Sequence, residues 1–325
     1  MARLLVTGGA GYIGSHTCQV LARAGHEPIT YDSMERGNPD YVKWGPLEIG
    51  NICDHDRLKG VLEKYRPDAV LHFAAYIDAA ESVTNPGKYY RNNVAGTLAL
   101  LGTMQQCGIR NLVFSSSAAV YGNPEYLPIP EEHPINPINP YGHSKRMAEQ
   151  VIADFGHAYD MGWAALRYFN AAGADPEGQL GPHRGTATNL IPLVLRAALG
   201  DGPPITIFGT DFKTNDGTAI RDFIHVCDLA TAHAAAVEHL LSGGQSVTVN
   251  LGTGRGHSVR EVIGAAERAL KRPVPVEEGA PRPGDPVESV ANAQRAAEIL
   301  GWHAQRAPID EIVGSEADWA LQAAS

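Results

Sequence analysis

Residues 4–14 read L-L-V-T-G-G-A-G-Y-I-G, and this stretch decides the fold. A strand-like apolar run at 4–7 precedes Gly8, Gly11 and Gly14, and a helix-like run at 15–24 follows them. Glycine permits a tight turn and lets the backbone approach a ligand closely. A helix that begins near the turn offers its first amides and the positive end of its dipole to a phosphate. The spacing therefore predicts a strand–turn–helix unit that binds the pyrophosphate of a dinucleotide.

The rest of the first half alternates short apolar runs with helical patterns. Predicted strands lie at 27–32, 47–50, 69–73, 112–116 and 164–168, and predicted helices at 54–65, 89–107 and 142–159. Alternation at this interval predicts an α/β fold, a doubly wound parallel sheet that is Rossmann-like. This alternation continues to residue 170, so residues 1–170 are predicted to form the dinucleotide-binding domain.

The character of the chain changes after residue 170. Residues 171–188 are rich in Gly, Pro and Asp and are predicted to be a loop. Residues 171–325 are predicted to form a smaller mixed α/β lobe, while about 218–252 return to the first domain. The second-half elements are predicted as helices at 190–199, 228–241, 258–270, 292–300 and 308–323 and strands at 205–208 and 247–251.

Composition excludes several classes of protein. The 325 residues are 44% hydrophobic and carry a net charge of −10, which disfavours general nucleic-acid binding. Four scattered cysteines, without a C-x-x-C pair, indicate a reduced cytoplasmic chain, and no metal-ligand cluster is visible among the 13 histidines. No apolar run approaches the length of a membrane span, and a strand predicted from residue 4 leaves no room for a signal peptide.

The cofactor preference is predicted from the end of the second strand. Asp32 stands there, eighteen residues after Gly14. A carboxylate at this place accepts hydrogen bonds from the adenosine ribose hydroxyls and repels a 2′-phosphate, which favours NAD over NADP. Arg36 is close enough to weaken that preference slightly.

A tyrosine and a lysine four residues apart indicate the chemistry. Tyr141 and Lys145 lie on one face of a predicted helix. A tyrosine that acts as a base near neutral pH needs a pKa about 3 below its ordinary value, and a positive neighbour shifts it in that direction. Residues 115–117 are three serines at the end of a predicted strand, where active-site groups of open α/β sheets gather. A hydroxyl there could relay the proton of the tyrosine.

The chain resembles the extended short-chain dehydrogenase/reductase superfamily and, within it, the UDP-glucose 4-epimerase family, nearly from end to end. The glycine and Tyr-Lys motifs are common to the superfamily, whereas L-R-Y-F-N and R-D-F-I-H-V-x-D-L are far more typical of sugar-nucleotide epimerases. The similarity rests on T-G-G-A-G-Y-I-G-S-H at 7–16, H-F-A-A at 72–75, N-N-V-x-G-T at 92–97, S-S-S-A-x-V-Y-G at 115–122, P-Y-G-x-S-K at 140–145, L-R-Y-F-N at 166–170, G-T-x-x-R-D-F-I-H-V-x-D-L at 217–229 and N-L-G-T-G at 250–254.

The resemblance implies NAD as cofactor, a UDP-sugar as substrate and a set of site residues. Tyr141, Lys145 and Ser117 are the implied catalytic residues. The implied cofactor contacts are Gly8, Gly11, Tyr12, Ile13, Gly14, Asp32, Asn51, Ile52, Phe73, Ala74, Ala75, Asn92, Ser115, Tyr141, Lys145 and Tyr168. The implied substrate contacts are Ser117, Tyr141, Asn170, Asn189, Leu190, Ile205, Phe208, Arg221, Arg282, Asp285 and Ser289.

Three positions set this chain apart within the resemblance. Asn51 stands where relatives usually have an aspartate near the adenine amino group, and its carbonyl oxygen can still accept that bond. Ile77 replaces a lysine that some members place near the nicotinamide ribose. Ser289, four positions after Asp285, replaces the tyrosine that restricts other members to plain hexoses, which predicts room for 2-acetamido sugars.

The implied reaction is interconversion of UDP-galactose and UDP-glucose by oxidation at C4, rotation of the 4-keto sugar and reduction on its other face. Epimerisation of a UDP-glucuronate or a UDP-pentose remains an alternative, as does a non-catalytic NAD(P)-sensing protein. A 4,6-dehydratase is disfavoured because Ala118 and Ala119 stand where related dehydratases have Asp-Glu. The resemblance also implies a homodimer joined by a four-helix bundle of the helices at 89–107 and 142–159, with Val94, Leu98, Leu101 and Gln105 at helical spacing on the first.

Overall fold

The computed structural model describes residues 1–183, 188–282 and 286–322. Within these ranges the strands are β1 (Arg3–Thr7), β2 (Glu27–Asp32), β3 (Leu47–Ile49), β4 (Ala69–His72), β5 (Asn111–Ser117), β6 (Gly162–Tyr168), β7 (Asn170–Ala172), β8 (Ile205–Phe208), β9 (Ile220–His225), β10 (Val247–Leu251), β11 (Gly256–Ser258), β12 (Val276–Gly279) and β13 (Glu288–Ser289).

The helices of the same ranges are α1 (Tyr12–Arg23), α2 (His55–Tyr65), α3 (Ala79–Thr84), α4 (Pro86–Tyr89), α5 (Gly96–Gln106), α6 (Pro140–Tyr159), α7 (Leu190–Leu199), α8 (Val226–Leu241), α9 (Val259–Leu270), α10 (Gln294–Leu300) and α11 (Ile309–Gln322). Short 3₁₀ turns lie at Pro39–Tyr41 and Ala118–Val120. In the part of the chain that the structure describes, no helix combines the length and the apolar character needed to cross a membrane.

The main sheet has seven strands in the order β10-β6-β5-β4-β1-β2-β3, all parallel. The predicted doubly wound α/β fold is therefore confirmed. The chain leaves β1 in one direction, to β2 and β3, and later returns to its other side with β4. A crevice forms at the carboxyl ends of strands where the order reverses in this way, and ligands of such sheets bind there.

Alternate residues of β1 enter two separate cores. Leu4 and Val6 pack with α1 and α8 on one face of the sheet, whereas Leu5 packs with α2, α5 and α6 on the other. Successive side chains of a strand point to opposite faces, so a strand that is apolar at every position needs helices on both sides. Both layers hold the strand ends rigidly, and those ends carry the site.

The second half of the chain builds a smaller lobe. Strands β7, β9, β11 and β13 form one sheet, β8 and β12 form another, and α7, α9 and α11 pack into a third core. The predicted return of 218–252 divides at residue 225. Strand β9 stays in the smaller sheet, whereas α8 packs in the main core and β10 extends the seven-stranded sheet beside β6.

The helix predicted at 89–107 is present, but it is not α-helical throughout. Helix α4 ends at Tyr89, a wider π-helical turn covers Tyr90–Ala95, and α5 begins at Gly96. The π turn inserts one extra residue and breaks the 3.6-residue period, which a sequence pattern cannot reveal. It lets the buried Asn93 accept a hydrogen bond from the amide of Tyr76 at 3.0 Å and donate one to the hydroxyl of Ser144, also at 3.0 Å.

Candidate active site

The backbone of the glycine turn is packed too closely for side chains at two of its positions. Gly8 has a φ of +73°, and a Cβ there would lie 2.7 Å from the amide nitrogen of Ala74. A Cβ on Gly14 would lie 2.3 Å from the carbonyl oxygen of Gly8. Helix α1 begins at Tyr12, and its N-cap residue, Gly11, has no side chain to bond the first amides. Together these features fit the pyrophosphate of a dinucleotide.

A cleft lies at the reversal of strand order, between the ends of β1, β2 and β4. Its lining includes Asp32, whose carboxylate accepts hydrogen bonds from the amides of Ala10 at 3.1 Å and Met34 at 2.9 Å. The sequence-predicted cofactor residues that line the cleft are Gly8, Gly11, Asp32, Asn51, Ile52, Phe73, Ala74, Ala75 and Asn92.

Some cleft residues were not predicted from the sequence. Glu35 and Tyr76 both line the cleft, and the Tyr76 hydroxyl donates a hydrogen bond to Glu35 at 2.6 Å. Arg36 also lines it, with its guanidinium 5.7 Å from the Tyr76 ring centroid and 3.7 Å from the carboxylate of Glu81. Glu81 thus competes with any ligand phosphate for Arg36, which agrees with a preference for NAD. For Glu35 and Tyr76 the only available signal was their position a few residues after the ends of β2 and β4, whereas Arg36 was already predicted to lie close to the cofactor.

The two departures near the cofactor cleft are visible in the structure. The side-chain oxygen of Asn51 accepts a hydrogen bond from the amide of Cys53 at 2.8 Å, so part of its accepting capacity is already used. A carbonyl oxygen has a second lone pair, and that one remains for an adenine amino group. Ile77 is 56% exposed and adds no polar group to this edge.

Helix α6 brings the predicted reactive groups together against β5. Asn139 caps the helix by accepting a hydrogen bond from the amide of Gly142 at 2.9 Å, which places Tyr141 in the first turn. Lys145 donates from Nζ to the carbonyl oxygen of Ser115 at 2.7 Å. The Ser115 hydroxyl lies 2.6 Å from the hydroxyl of Tyr168. Ser117 lies close enough to Tyr141 to lower its pKa, so five predicted residues meet at the ends of β5 and β6.

Burial shifts the pKa values of Tyr141 and Lys145 in directions that were not predicted from the sequence. Burial raises the pKa of Tyr141, and the nearby Ser117 hydroxyl opposes that rise only in part. Burial also lowers the pKa of Lys145 to about 7, against the attraction of Glu149. In the polypeptide without cofactor, burial dominates the pKa of Tyr141. The lowering of that pKa by Lys145 together with the charge of oxidised nicotinamide stays a prediction.

The predicted substrate residues lie in the smaller lobe and at its junction with the sheet. Asn170 begins β7, Asn189 is the residue directly before α7 and Leu190 begins that helix. The Arg282 guanidinium lies 3.8 Å above the ring centroid of Phe208, which shares β8 with Ile205. Asp285 lies outside the described residues.

Arg221 and Ser289 are register partners in the parallel pair of β9 and β13. Arg221 also donates from Nη1 to the carbonyl oxygens of Ile220 at 2.8 Å and Val287 at 3.4 Å. The structure thus joins two predicted pairs, Arg221 with Ser289 and Arg282 with Phe208. In the described residues there is no group of three or more His, Cys, Asp or Glu that could hold a metal ion.

Fold and site together define a dinucleotide-binding protein of the doubly wound class with a buried Tyr-Lys pair at the strand ends. The chain belongs to the NAD dependent epimerase/dehydratase family, whose family model matches residues 4–252. It is 50% identical to the UDP-glucose 4-epimerase of Rhizobium leguminosarum bv. trifolii over 316 residues, which is 97% of this chain and 96% of the relative.

Solved structures agree with this placement. The UDP-glucose 4-epimerase from Brucella ovis in complex with NAD is 48% identical, with a TM-score of 0.96 over 98% of each chain. The UDP-glucose 4-epimerase from Stenotrophomonas maltophila, with bound NAD and formylated UDP-arabinopyranose, is 39% identical, with a TM-score of 0.95 over 100% of each chain. The resemblance inferred from the sequence motifs is therefore confirmed.

Proposed function

We propose that this protein interconverts UDP-galactose and UDP-glucose by NAD-dependent epimerisation at C4. The observation that carries the proposal is the convergence of Tyr141, Ser117 and Lys145 beside the dinucleotide cleft. Relatives that match nearly the whole chain at 48–50% identity are UDP-glucose 4-epimerases, and one of them was crystallised with NAD. NAD, when bound, supplies a reversible hydride acceptor and a positive charge.

Tyr141 is the proposed base for the 4-hydroxyl of the sugar. The hydroxyl of Ser117 lies close enough to Tyr141 to lower its pKa, and it is proposed to share the proton as the proton leaves and returns. Lys145 is proposed to hold the cofactor ribose and to stabilise the tyrosinate electrostatically. The bond of its ammonium to the Ser115 carbonyl fixes its position.

The substrate residues are proposed to hold the UDP moiety while the 4-keto sugar turns over. Arg221 and Arg282 would clamp the diphosphate, since guanidinium groups bond phosphate oxygens bidentately. Asp285 is proposed to bond the uridine ribose. The remaining proposed contacts are Asn170, Asn189, Leu190, Ile205 and Phe208. Retaining the diphosphate while the sugar rotates explains how one site could reduce either face of C4.

The alternatives have less support. Ser117 is followed by Ala118 and Ala119, so the acid and base that dehydration needs are not at that position. A binding protein that only senses NAD(P) does not need a buried Tyr-Lys pair aligned on a serine. UDP-glucuronate and UDP-pentose epimerisation share the same site chemistry and differ only in how the sugar C5 substituent is accommodated.

The proposed substrate range extends to the 2-acetamido sugars. Ser289 is the proposed residue beside the sugar C2 substituent, and its register pairing with the proposed diphosphate ligand Arg221 supports a place in the substrate site. Serine has about six fewer side-chain heavy atoms than tyrosine, whereas an N-acetyl group adds about three to a hydroxyl, and overfilling a packed pocket is destabilising. The smaller residue therefore leaves room for the larger substrate.

The proposed assembly is a homodimer through a four-helix bundle of α5 and α6 with their symmetry mates. Leu98 on α5 is 48% exposed and Met147 on α6 is 46% exposed, which gives both helices an apolar outer surface. Leu101 packs instead into the core beneath α5. The apolar residues predicted for the interface therefore lie on two faces of that helix, one exposed and one buried.

We infer two lobes, 1–170 with a returning segment and 171–325, in a cytoplasmic protein. The return of α8 and β10 to the main sheet supports the division, and a cysteine set without any C-x-x-C pair supports a reducing compartment. The reaction never releases its cofactor, so the purified protein is expected to yield NAD(H), with little NADP(H), on acid extraction. Recovery of mostly NADP(H) would contradict the assignment of Asp32.

Tyr141→Phe tests the proposed function. The variant lacks the hydroxyl that removes the proton, so kcat for UDP-galactose should fall by about 10²- to 10⁴-fold while extractable NAD stays at the parent level. UDP-glucose formation is measured by coupling it to UDP-glucose dehydrogenase. Tyr159→Phe, at an exposed position of the same helix, is the matched control and should behave as the parent. Near-normal turnover by Tyr141→Phe would overturn the proposal.

A further inference from the structure

Three residues at four-residue spacing dock helix α6 onto the end of β5. Tyr141 lies beside Ser117, Lys145 donates a hydrogen bond to the carbonyl of Ser115, and Glu149 accepts one from the hydroxyl of Ser116 at 2.6 Å. Residues four apart share one face of a helix. The reactive pair therefore has a third partner on the same stripe, to which the sequence analysis gave no role.

Glu149 is held by a buried bidentate ion pair. Arg167 donates from Nε to Oε1 and from Nη2 to Oε2, both at 2.8 Å, and the two side chains are 6% and 5% exposed. Arg167 precedes Tyr168 on β6 and is the register partner of Ser116 on β5. It also donates to the hydroxyl of Tyr121 at 3.0 Å. One carboxylate thus ties α6 to both strands whose ends carry the site.

We propose that Glu149 is a positioning residue for the reaction of Tyr141, a role that rests on the proposed function. It fixes α6 against β5 and β6 and places a negative charge one helical turn from Lys145. Touching neither substrate nor cofactor, it acts through the lysine and through the distance between Tyr141 and Ser117. The same ion pair explains what the arginine of the L-R-Y-F-N motif, Arg167, contributes to the structure.

Few other charged groups face Lys145 in the described residues. On its own helix lie Tyr141 and Glu149, and the Arg146 guanidinium of that helix lies 3.5 Å from the Glu149 carboxylate. Strand β6 contributes Tyr168 and, beyond Glu149, Arg167. The neighbouring strands contribute the Phe114 ring, whose centroid is 4.9 Å from the ammonium, and the buried imidazole of His72. Burial lowers the pKa of His72 to about 3, so it stays neutral. Glu149 is the group that holds the Lys145 pKa up against burial.

The sign of the effect follows from these contacts. Without the carboxylate, the Lys145 pKa falls further and the ammonium loses its proton at lower pH. The tyrosinate then loses a positive neighbour, so Tyr141 becomes harder to ionise. For Glu149→Gln, the alkaline limb of the kcat profile should move down by about one pH unit, a roughly tenfold loss at a fixed alkaline pH. KM for UDP-galactose should change by less than about twofold, because no substrate contact is removed.

Two further variants keep the test decisive. Glu149→Gln leaves a buried guanidinium without its counter-charge, which could prevent folding. Glu149→Met combined with Arg167→Met removes both charges, is expected to fold, and should show the same downward movement of the alkaline limb. Glu149→Asp keeps the charge and should leave the limb where the parent has it. Asp154→Asn, an exposed charge on the same helix, is the matched control and should also leave the profile unchanged.

The experiment measures kcat and KM against pH and, separately, the ionisation of Tyr141 in NAD-loaded protein. Ultraviolet difference spectra between each protein and its Tyr141→Phe derivative isolate that tyrosine. A raised Tyr141 pKa together with a lowered alkaline limb supports the inference. Parent-like titration and profile in the folded charge-free variant would overturn it and leave Glu149 a purely structural role. If the parent failed to convert UDP-galactose, the proposed function would fall, yet the Tyr141 titration would still decide the role of Glu149.

Discussion

Glu316 on α11 is a buried carboxyl group that is connected through Gly173 to Tyr12, the first residue of α1 after the glycine turn. Its Oε1 accepts a hydrogen bond from the amide of Gly173 at 2.7 Å, and Tyr12 donates its hydroxyl to the carbonyl of the same residue. Within the described residues its Oε2 has no hydrogen-bond partner. Burial raises the Glu316 pKa to about 8, so the group is neutral near pH 7 and charges only in more alkaline solution.

The Glu316 pKa predicts a pH-dependent stability difference. The unfolded chain loses this proton near pH 4.5 and the folded chain near pH 8, so the stability it contributes is full below pH 4.5 and is lost as the pH rises to 8. Glu316→Gln cannot ionise. Its free energy of unfolding relative to the parent should therefore rise between pH 4.5 and 8, by on the order of 5 kcal/mol. Denaturant unfolding at several pH values measures this, and a difference that stays constant with pH would contradict it.

Substrate breadth is tested at Ser289. In Ser289→Tyr the phenol ring should occupy the space proposed for an acetamido group, so kcat/KM for UDP-GlcNAc should fall by about 10- to 200-fold. The value for UDP-galactose should stay within a few-fold of the parent. Ser289→Ala removes only the hydroxyl and should retain both activities. A parent that does not convert UDP-GlcNAc would refute the proposed range.

Helices α5 and α6 carry the proposed dimer interface as well as the site. Leu98→Glu places a charge on the exposed apolar face of α5, and burying that charge at an interface is unfavourable. Sedimentation should show two chains for the parent and a shift toward one chain for the variant at micromolar concentration. Leu321→Glu, at a comparably exposed leucine on α11, should leave the assembly unchanged. A parent that sediments as one chain would refute the dimer.

Elements with a clear period were predicted well from the sequence, and irregular ones were not. The strand, turn and helix around Gly8 follow from local pattern and glycine geometry, and so does the placement of Tyr141 and Lys145 on one face of α6. The π turn at Tyr90–Ala95 escaped because it has no period of its own. The titration of Tyr141 escaped because desolvation depends on packing from distant segments. Glu149 lies four residues after Lys145 and could have been noticed in the sequence. Its role depends on Arg167, however, and only the folded structure brings Arg167 into contact with it.

At the scale of the whole molecule, the site lies where the crevice of the main sheet meets the smaller lobe. Reversal of strand order between β1 and β4 opens the crevice, and the smaller lobe adds its own strands and helices after β6. The sequence predicted the doubly wound sheet because local alternation determines it. The sequence could not show that β9 stays with the smaller sheet while α8 and β10 join the larger one, since that partition is decided by long-range strand pairing.

The proposed function requires that the hydride removed from C4 of the sugar returns to that carbon in the same turnover, with a retained NAD as its acceptor. The most direct test incubates the purified protein, without added cofactor, with UDP-galactose that carries deuterium at C4 in ordinary water. The account predicts UDP-glucose that keeps its deuterium at C4, as read by mass spectrometry and NMR. Product that has exchanged the C4 deuterium for solvent hydrogen, or no product unless NAD is supplied, would contradict it.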